Sequence, residues 1–386
     1  MGDRVRFGIV GLGAMGAGHC HYVRDLVPEA ELTAVCDVDA DRAREIGEQY
    51  SVPVFTEPEA MFASGLIDAV LIATPHYFHT PLAIAAFQHG LHVLTEKPLC
   101  VTVSDADRMI EAARQSGRKF GIMYQMRTRP ENRAARQLVE QGALGEVRRT
   151  LLITAWYRTQ AYYDSGGWRA TWAGEGGGVL INQAPHYLDL FQWLGGLPCR
   201  VQAQVRTRLH DIEVEDEAFA LLEYPNGAHG YLYATTNEVP DENAIEICGD
   251  KGKLCLYNGK LEFWQFERSI REFTFETDQM WGSIRAERVE VPIEPLPEDA
   301  LRDHPAIIQN FARSILYDEP LIAPGEEGLA VVELINALIL SGKRGVPVSI
   351  PVERAAYDAL IAELKAQSRP KTRLREQRLT DPNLVR

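Results

Sequence analysis

Residues 6–16 read "RFGIVGLGAMG", an apolar run that stops in glycines at positions 11, 13 and 16. The run has the length of a buried strand, and the residues after it continue as a helix to about Leu26. Strand, glycine turn and helix in that order are the context in which G-x-G-x-x-G reads as a dinucleotide fingerprint. Gly11 permits the tight turn, Gly13 lets a pyrophosphate approach the backbone, and Gly16 lets helix and strand pack. The helix opens at Ala14 and Met15, whose unpaired N–H groups and dipole end favour an anion. A second strand, "AELTAVCD", ends in Asp37, about 20 positions beyond Gly16. Its carboxylate is placed to accept hydrogen bonds from ribose hydroxyls and to repel a 2′-phosphate, which favours NAD over NADP. Arg42 and Arg44 follow in the next helix, where solvated helix-face charge is the plainer use for them.

Outward from this unit, "DAVLIAT", "HVLTE" and "KFGIMY" repeat the strand signal, separated by segments of helical period. One such helix is expected to start at Ser104 and Asp105 and to stop at Gly117. Alternation of this kind predicts a parallel sheet over residues 1–124, an α/β Rossmann domain. After a helix at about 130–142, strands follow strands: "EVRRTLLITAWYR", "VQAQVRTRL", "EAFALLEY", "HGYLYATT", "NAIEICGD", "GKLCLY" and "KLEFWQF". Short Gly, Asn or Asp turns between them predict a large, mostly antiparallel open sheet in an α+β domain spanning 125–365. Helices return at about 305–318 and 327–343. The charged stretch 267–303 reads as a long excursion, a lid or an oligomer contact. Residues 366–386 form a charged tail, either frayed or laid on a neighbouring subunit.

The chain has 386 residues and a formal net charge of −14, a balance that speaks against a nucleic-acid or anionic-membrane surface. A small-molecule partner is expected. The six cysteines show neither C-x-x-C nor metal-ligand spacing, so reduced thiols, no metal and a cytoplasmic location are expected. The N-terminus lacks a cleavable signal pattern, and no run approaches the 18 apolar residues of a membrane span.

Chemistry concentrates in three further places. "LIATPHYFH" puts Thr74 and Pro75 at the C-terminal edge of the parallel sheet, where a nucleotide lies, with His79 either touching it or simply starting a helix. "TEKPL" brings Glu96, Lys97 and Pro98 to the same edge, and a lysine facing such a cleft serves charge or proton work, because burying an unpartnered ammonium is costly. "GGGVLINQAPH", residues 176–186, ends in His186, whose four preceding residues offer only amides, alanine and proline where a catalytic imidazole is usually oriented by a carboxylate.

Taken together, "GLGAMG", "ATP…H", "EKP", "QLVEQGALGEV", "GGGVLINQAPHYLDL" and the closing "AVVELINALILSGKRGVPVSIP" resemble the Gfo/Idh/MocA family of sugar and cyclitol oxidoreductases over nearly the whole chain. The resemblance implies that Lys97 reaches both nicotinamide and substrate across a cis Lys97–Pro98 bond. It implies that Gln125, Trp168 and Arg169 approach the cofactor, and that Arg127 and Tyr157 lie on the substrate side. It implies a homodimer or homotetramer formed through the second sheet. Members that oxidise ring hydroxyls carry an aspartate four residues before the histidine, where this chain has Asn182. An amide orients a hydroxyl but takes no proton. The expected chemistry therefore rests on His186 as general base and Lys97 as the donor that stabilises the developing oxyanion, with Asn182 positioning a neighbouring hydroxyl. Asp189 either orients the His186 ring or forms a salt bridge elsewhere. The aromatics at 156, 157, 162, 163, 168 and 172 suit either stacking on a sugar or a core. The leading expectation is an NAD-dependent dehydrogenase acting on a secondary hydroxyl of a sugar, glycoside or cyclitol. A keto-sugar or anhydro-sugar reductase and a non-catalytic NAD-binding sensor are the alternatives.

Overall fold

The structure, a computed structural model, describes residues 4–374. Six strands form the first sheet: β1 (Val5–Val10), β2 (Ala30–Cys36), β3 (Val54–Phe55), β4 (Ala69–Ile72), β5 (His92–Thr95) and β6 (Phe120–Ile122). Their order is β3-β2-β1-β4-β5-β6 and every pairing is parallel. Such strands are covered on both faces and so read as continuous apolar runs; Phe7, Ile9, Val70, Leu71, Val93 and Leu94 are fully buried. The order reverses between β1 and β4, and at that switch point the C-terminal strand ends open a crevice for a ligand.

Nine further strands form the second sheet: β7 (Val147–Ala155), β8 (Arg200–Arg206), β9 (Glu217–Glu223), β10 (His229–Thr235), β11 (Glu242–Gly249), β12 (Gly252–Tyr257), β13 (Lys260–Phe266), β14 (Ala286–Val289) and β15 (Val348–Ser349). The order is β14-β13-β12-β11-β7-β10-β9-β8-β15, antiparallel throughout except where β7 lies beside β10. Alternation along β8 and β10 turns one face to the core, where the largely buried helix Gly328–Arg344 packs. The other face keeps apolar side chains in solvent, with Leu221, Tyr231 and Tyr257 each 43–55% exposed. No helix among the described residues is long and apolar enough to cross a membrane.

Four details differ from the sequence reading. The helix expected at Ser104 begins at Val103, because Thr102 is the cap that accepts from the Asp105 N–H at 3.1 Å, while Ser104 Oγ donates to Asp358. The boundary at 124/125 separates the two sheets but not their helical layers. The helix Asp303–Tyr317 returns to the first sheet, where Phe311 meets Phe7 at 6.2 Å and fills the space beside Gly121. The excursion 267–303 is partly regular, holding the helix Ile270–Glu276 and edge strand β14. Of the tail, residues 368–371 lie against this same chain: Ser368 Oγ and the Arg369 N–H both donate to Glu213, and Lys371 Nζ donates to the Tyr163 carbonyl. Residues 375–386, the rest of that segment, lie outside the described residues.

Candidate active site

The first β–α turn has the shape its glycines require. Gly11 adopts φ +88°, and a Cβ there would stand 2.7 Å from the Ala73 carbonyl; one on Gly16 would stand 1.7 Å from the Gly11 oxygen. Gly13 differs, since a Cβ there would meet no protein atom within 4 Å, and Gly13, Ala14 and Met15 are all exposed at the start of the helix Ala14–His21. Asp37 follows β2 directly, accepting from the Leu12 N–H at 2.6 Å and the Asp39 N–H at 3.0 Å, so its carboxylate is anchored against the glycine turn. Arg42 is not purely solvated: its Nε donates to the Leu12 carbonyl at 2.9 Å. Thr74 Oγ1 and Gln125 Oε1 are buried without hydrogen-bond partners among the described residues. An open glycine face, an anchored acid and two unpaired polar atoms at strand ends are what an extended polar cofactor would satisfy, so these residues fit a dinucleotide.

β5 delivers Glu96, Lys97 and Pro98 to the crevice, with the Lys97–Pro98 bond cis as expected. Lys97 Nζ donates to the Asn182 carbonyl at 2.8 Å. Burial lowers the Lys97 ammonium from its ordinary pKa; the carboxylates of Glu96 and Glu175 oppose this and the Arg169 and Arg158 charges add to it. Glu96 points away from the crevice: its Oε1 lies 2.7 Å from His19 Nε2 and its Oε2 accepts the Lys97 N–H. Burial raises the Glu96 carboxyl, but the His19 hydrogen bond and the surrounding positive side chains outweigh it and bring it to about 2. Glu96 thus fixes the backbone that carries Lys97.

His186 sits in the first turn of the helix Pro185–Gly195, whose proline at the first position lacks an N–H that would have no partner there. The ring is 8% exposed, and its Nδ1 has no partner among the described residues. Burial first, and the Lys97 charge next, push its pKa well below the ordinary histidine value, so the imidazole is neutral at pH 7 with a free lone pair. Asn182 ends the preceding short helix, Val179–Asn182. Its side-chain amide donates to Glu175 rather than standing free.

The structure gives the remaining expected site residues these settings. Arg127 is 1% exposed and held bidentately by Asp189, Nε to Oδ2 at 2.9 Å and Nη2 to Oδ1 at 2.6 Å, with Glu327 as a further partner. It joins helices beneath the site and does not reach a substrate; Asp189 is correspondingly engaged by Arg127 rather than by His186. His79 is buried, with both ring nitrogens within 2.9 Å of carbonyls, those of Thr74 and Pro98. It stitches the β4 and β5 loops together and has no nitrogen left for a cofactor. Tyr157 leaves β7 at 39% exposure, its N–H anchored by Asp241. Among the aromatics, Tyr163 and Trp172 are core. Trp168 and Tyr162 sandwich the Arg169 guanidinium at 4.6 and 4.4 Å from the ring centres.

Sequence reading missed Glu175 and His76. Glu175, directly before the glycine run, is 1% exposed, and His76 Nδ1 lies 3.0 Å from its carbonyl. Neither belongs to a periodic pattern: His76 meets a segment 99 residues away, and the partners of Glu175 lie within seven residues but in an irregular loop; an acid directly before three glycines is the one available signal.

Residues 5–124 match the profile described as the oxidoreductase family with an NAD-binding Rossmann fold, and residues 132–255 match the GFO/IDH/MocA C-terminal domain. The chain belongs to this family. It is an oxidoreductase with an NAD-binding domain. The D-glucoside 3-dehydrogenase of Escherichia coli K12 is 25% identical over 346 residues, covering 83% of this chain and 91% of the relative. The myo-inositol 2-dehydrogenase of Thermotoga maritima is 24% identical over 331 residues, covering 84% and 92%. Among solved structures, the WlbA dehydrogenase of Bordetella pertussis in complex with NADH and UDP-GlcNAcA superimposes with a TM-score of 0.77 at 28% identity, covering 91% of this chain and all of that one.

Proposed function

We propose that this family member is an NAD-dependent dehydrogenase oxidising a secondary ring hydroxyl of a sugar, glycoside or cyclitol. The observation that carries the reading is His186: a buried imidazole that burial and the nearby Lys97 ammonium hold neutral, and so able to accept a proton. Bound NAD would supply the hydride acceptor. His186 takes the proton from the substrate hydroxyl as the hydride leaves the same carbon. Lys97 donates to that oxygen and offsets its developing negative charge, in a site walled by buried side chains where such an interaction is stronger than in water. Gly11, Gly13, Ala14, Met15 and Gly16 cradle the pyrophosphate, Asp37 takes the ribose hydroxyls, and Thr74, Pro75, Gln125, Trp168 and Arg169 line the nicotinamide half. Named relatives acting on a glucoside and an inositol support the substrate class.

The apolar open face of the second sheet is where we place a contact between copies in a homodimer or homotetramer. The enzyme is proposed to work in the cytoplasm. A panel of glycosides, free sugars and inositols, followed by NADH absorbance, tests the reading. Production of NADH with at least one of them, abolished by His186→Ala, is expected; NADH binding without turnover of any would replace the dehydrogenase reading with a sensor. Faster consumption of NADPH with keto-sugars would instead make the protein a reductase.

A further inference from the structure

The charges around Lys97 do not balance without a residue that no motif singles out. Arg169 and Arg158 both bear on the ammonium, and the Glu96 carboxylate beside it is taken up by His19 and by the Lys97 N–H. Four residues before His186 stands the neutral Asn182, which adds no charge to the site. The other carboxylate acting on Lys97 is Glu175, whose own pKa burial pushes above the ordinary carboxylate value while the Arg169 charge, the Ala170 N–H and the Asn182 amide oppose that rise.

Glu175 is held from every side. Its N–H donates to the Thr171 carbonyl at 2.9 Å, and its own carbonyl is 3.0 Å from His76 Nδ1 on the β4 loop. One carboxylate oxygen accepts from the Ala170 N–H at 2.5 Å; the other accepts from the Asn182 side-chain amide and faces Arg169 at 3.7 Å. The backbone around it is unusual as well, with Ala170 at φ +55° and Gly176 at φ +85°, where a Cβ would come within 2.5 Å of Val101. Asn182 then works with both ends: its side chain binds Glu175, and its backbone carbonyl binds Lys97 Nζ at 2.8 Å. A buried acid that only filled space would be replaced by an apolar group at little loss. This one is wired through a single residue to the lysine of the reaction.

We propose that Glu175 is a positioning residue for Lys97: through Asn182 it fixes where Lys97 Nζ sits, and its carboxylate places a negative charge on the far side of that relay. The carboxylate stands at the residue ahead of the glycine run, and Asn182 relays it to the lysine. The inference rests on Lys97 being the group that meets the reacting oxygen, but its test needs neither NAD nor a substrate.

The full-length protein is produced with ε-¹³C-labelled lysine, and the Lys97 resonance, assigned by its disappearance in Lys97→Arg, is titrated with pH. In Glu175→Gln the Lys97 midpoint is expected to fall by about one unit, the size of a single nearby opposite charge. The double variant Glu175→Gln/Asn182→Asp returns a carboxylate to the commoner slot while preserving the side-chain hydrogen bond with its donor and acceptor exchanged. It is expected to restore the wild-type midpoint. An unchanged midpoint in Glu175→Gln overturns the proposal, because a merely structural acid leaves it where it is. If Glu175→Gln does not fold, the double variant decides: a wild-type midpoint supports the proposal, and a lowered midpoint or a failure to fold overturns it. A panel that yields no sugar substrate while these midpoints move as expected would sink the dehydrogenase reading and leave this wiring intact.

Discussion

Lys97 Nζ, at the end of a strand of the first sheet, donates at 2.8 Å to the backbone carbonyl of Asn182, 85 residues later in the second domain. The bond spans the crevice between the two domains, so the reacting geometry belongs to neither alone. Its acceptor is main chain, and substitution at position 182 therefore leaves the acceptor itself in place.

Removing the base should separate chemistry from binding. His186→Ala is expected to lower kcat by roughly 10²–10⁴, the usual worth of a positioned general base, with NADH affinity within a few-fold of wild type. Steady-state turnover of the best panel substrate and a fluorescence titration with NADH read the two quantities; kcat within a few-fold of wild type would remove His186 from the mechanism.

The pH profile of kcat/KM should be bell-shaped and displaced on both sides. Activity needs His186 neutral and falls as pH drops through its pKa, which burial and the Lys97 charge push well below the ordinary histidine value, so the acid limb lies well below pH 6.5. Activity needs Lys97 charged and falls as pH rises through a pKa that burial lowers from 10.5, so the alkaline limb begins sooner than an exposed lysine would give. An acid limb centred at or above pH 6.5 contradicts the assignment.

Cofactor choice should turn on Asp37. A charge-assisted hydrogen bond to a ribose hydroxyl is worth about 1.5–3 kcal/mol, so Asp37→Asn, which keeps an acceptor for the Leu12 N–H, is expected to weaken NADH binding about 10- to 100-fold and to narrow the gap to NADPH. Calorimetric titration with each nucleotide checks this; an unchanged preference would place the ribose elsewhere.

Arg127 should matter for stability and little for binding. Truncating one member of a buried ion pair leaves the other charged and desolvated, and Arg127→Ala is expected to cost about 3–5 kcal/mol in urea unfolding. The double variant Arg127→Met/Asp189→Leu should recover most of that loss. NADH affinity of the folded fraction should stay near wild type, whereas selective loss of substrate affinity would return Arg127 to the site.

The glycines of the fingerprint, the strand alternation, Lys97 and His186 are legible from the residues because they depend on near-neighbour rules. A tight turn at Gly11 excludes a Cβ, a buried parallel strand must be apolar along its length, and an ammonium at a strand end needs a purpose. Those rules do not reach the settings of Arg127 and His79. Each has the right residue type in a motif, but its partners, Asp189 and Glu327 for one and the Thr74 and Pro98 carbonyls for the other, come from chain segments whose proximity no spacing encodes. Glu175 is the converse case. Local sequence offered only an acid before three glycines, and its meaning depends on the fold bringing the Lys97 ammonium against the Asn182 carbonyl while the Asn182 side chain holds the Glu175 carboxylate. Sequence alone determined the nucleotide fold and pointed to Lys97 and His186 as the proposed reacting pair. Tertiary structure decided which charges face them, because the energy of a buried charge depends on three-dimensional neighbours and not on position along the chain.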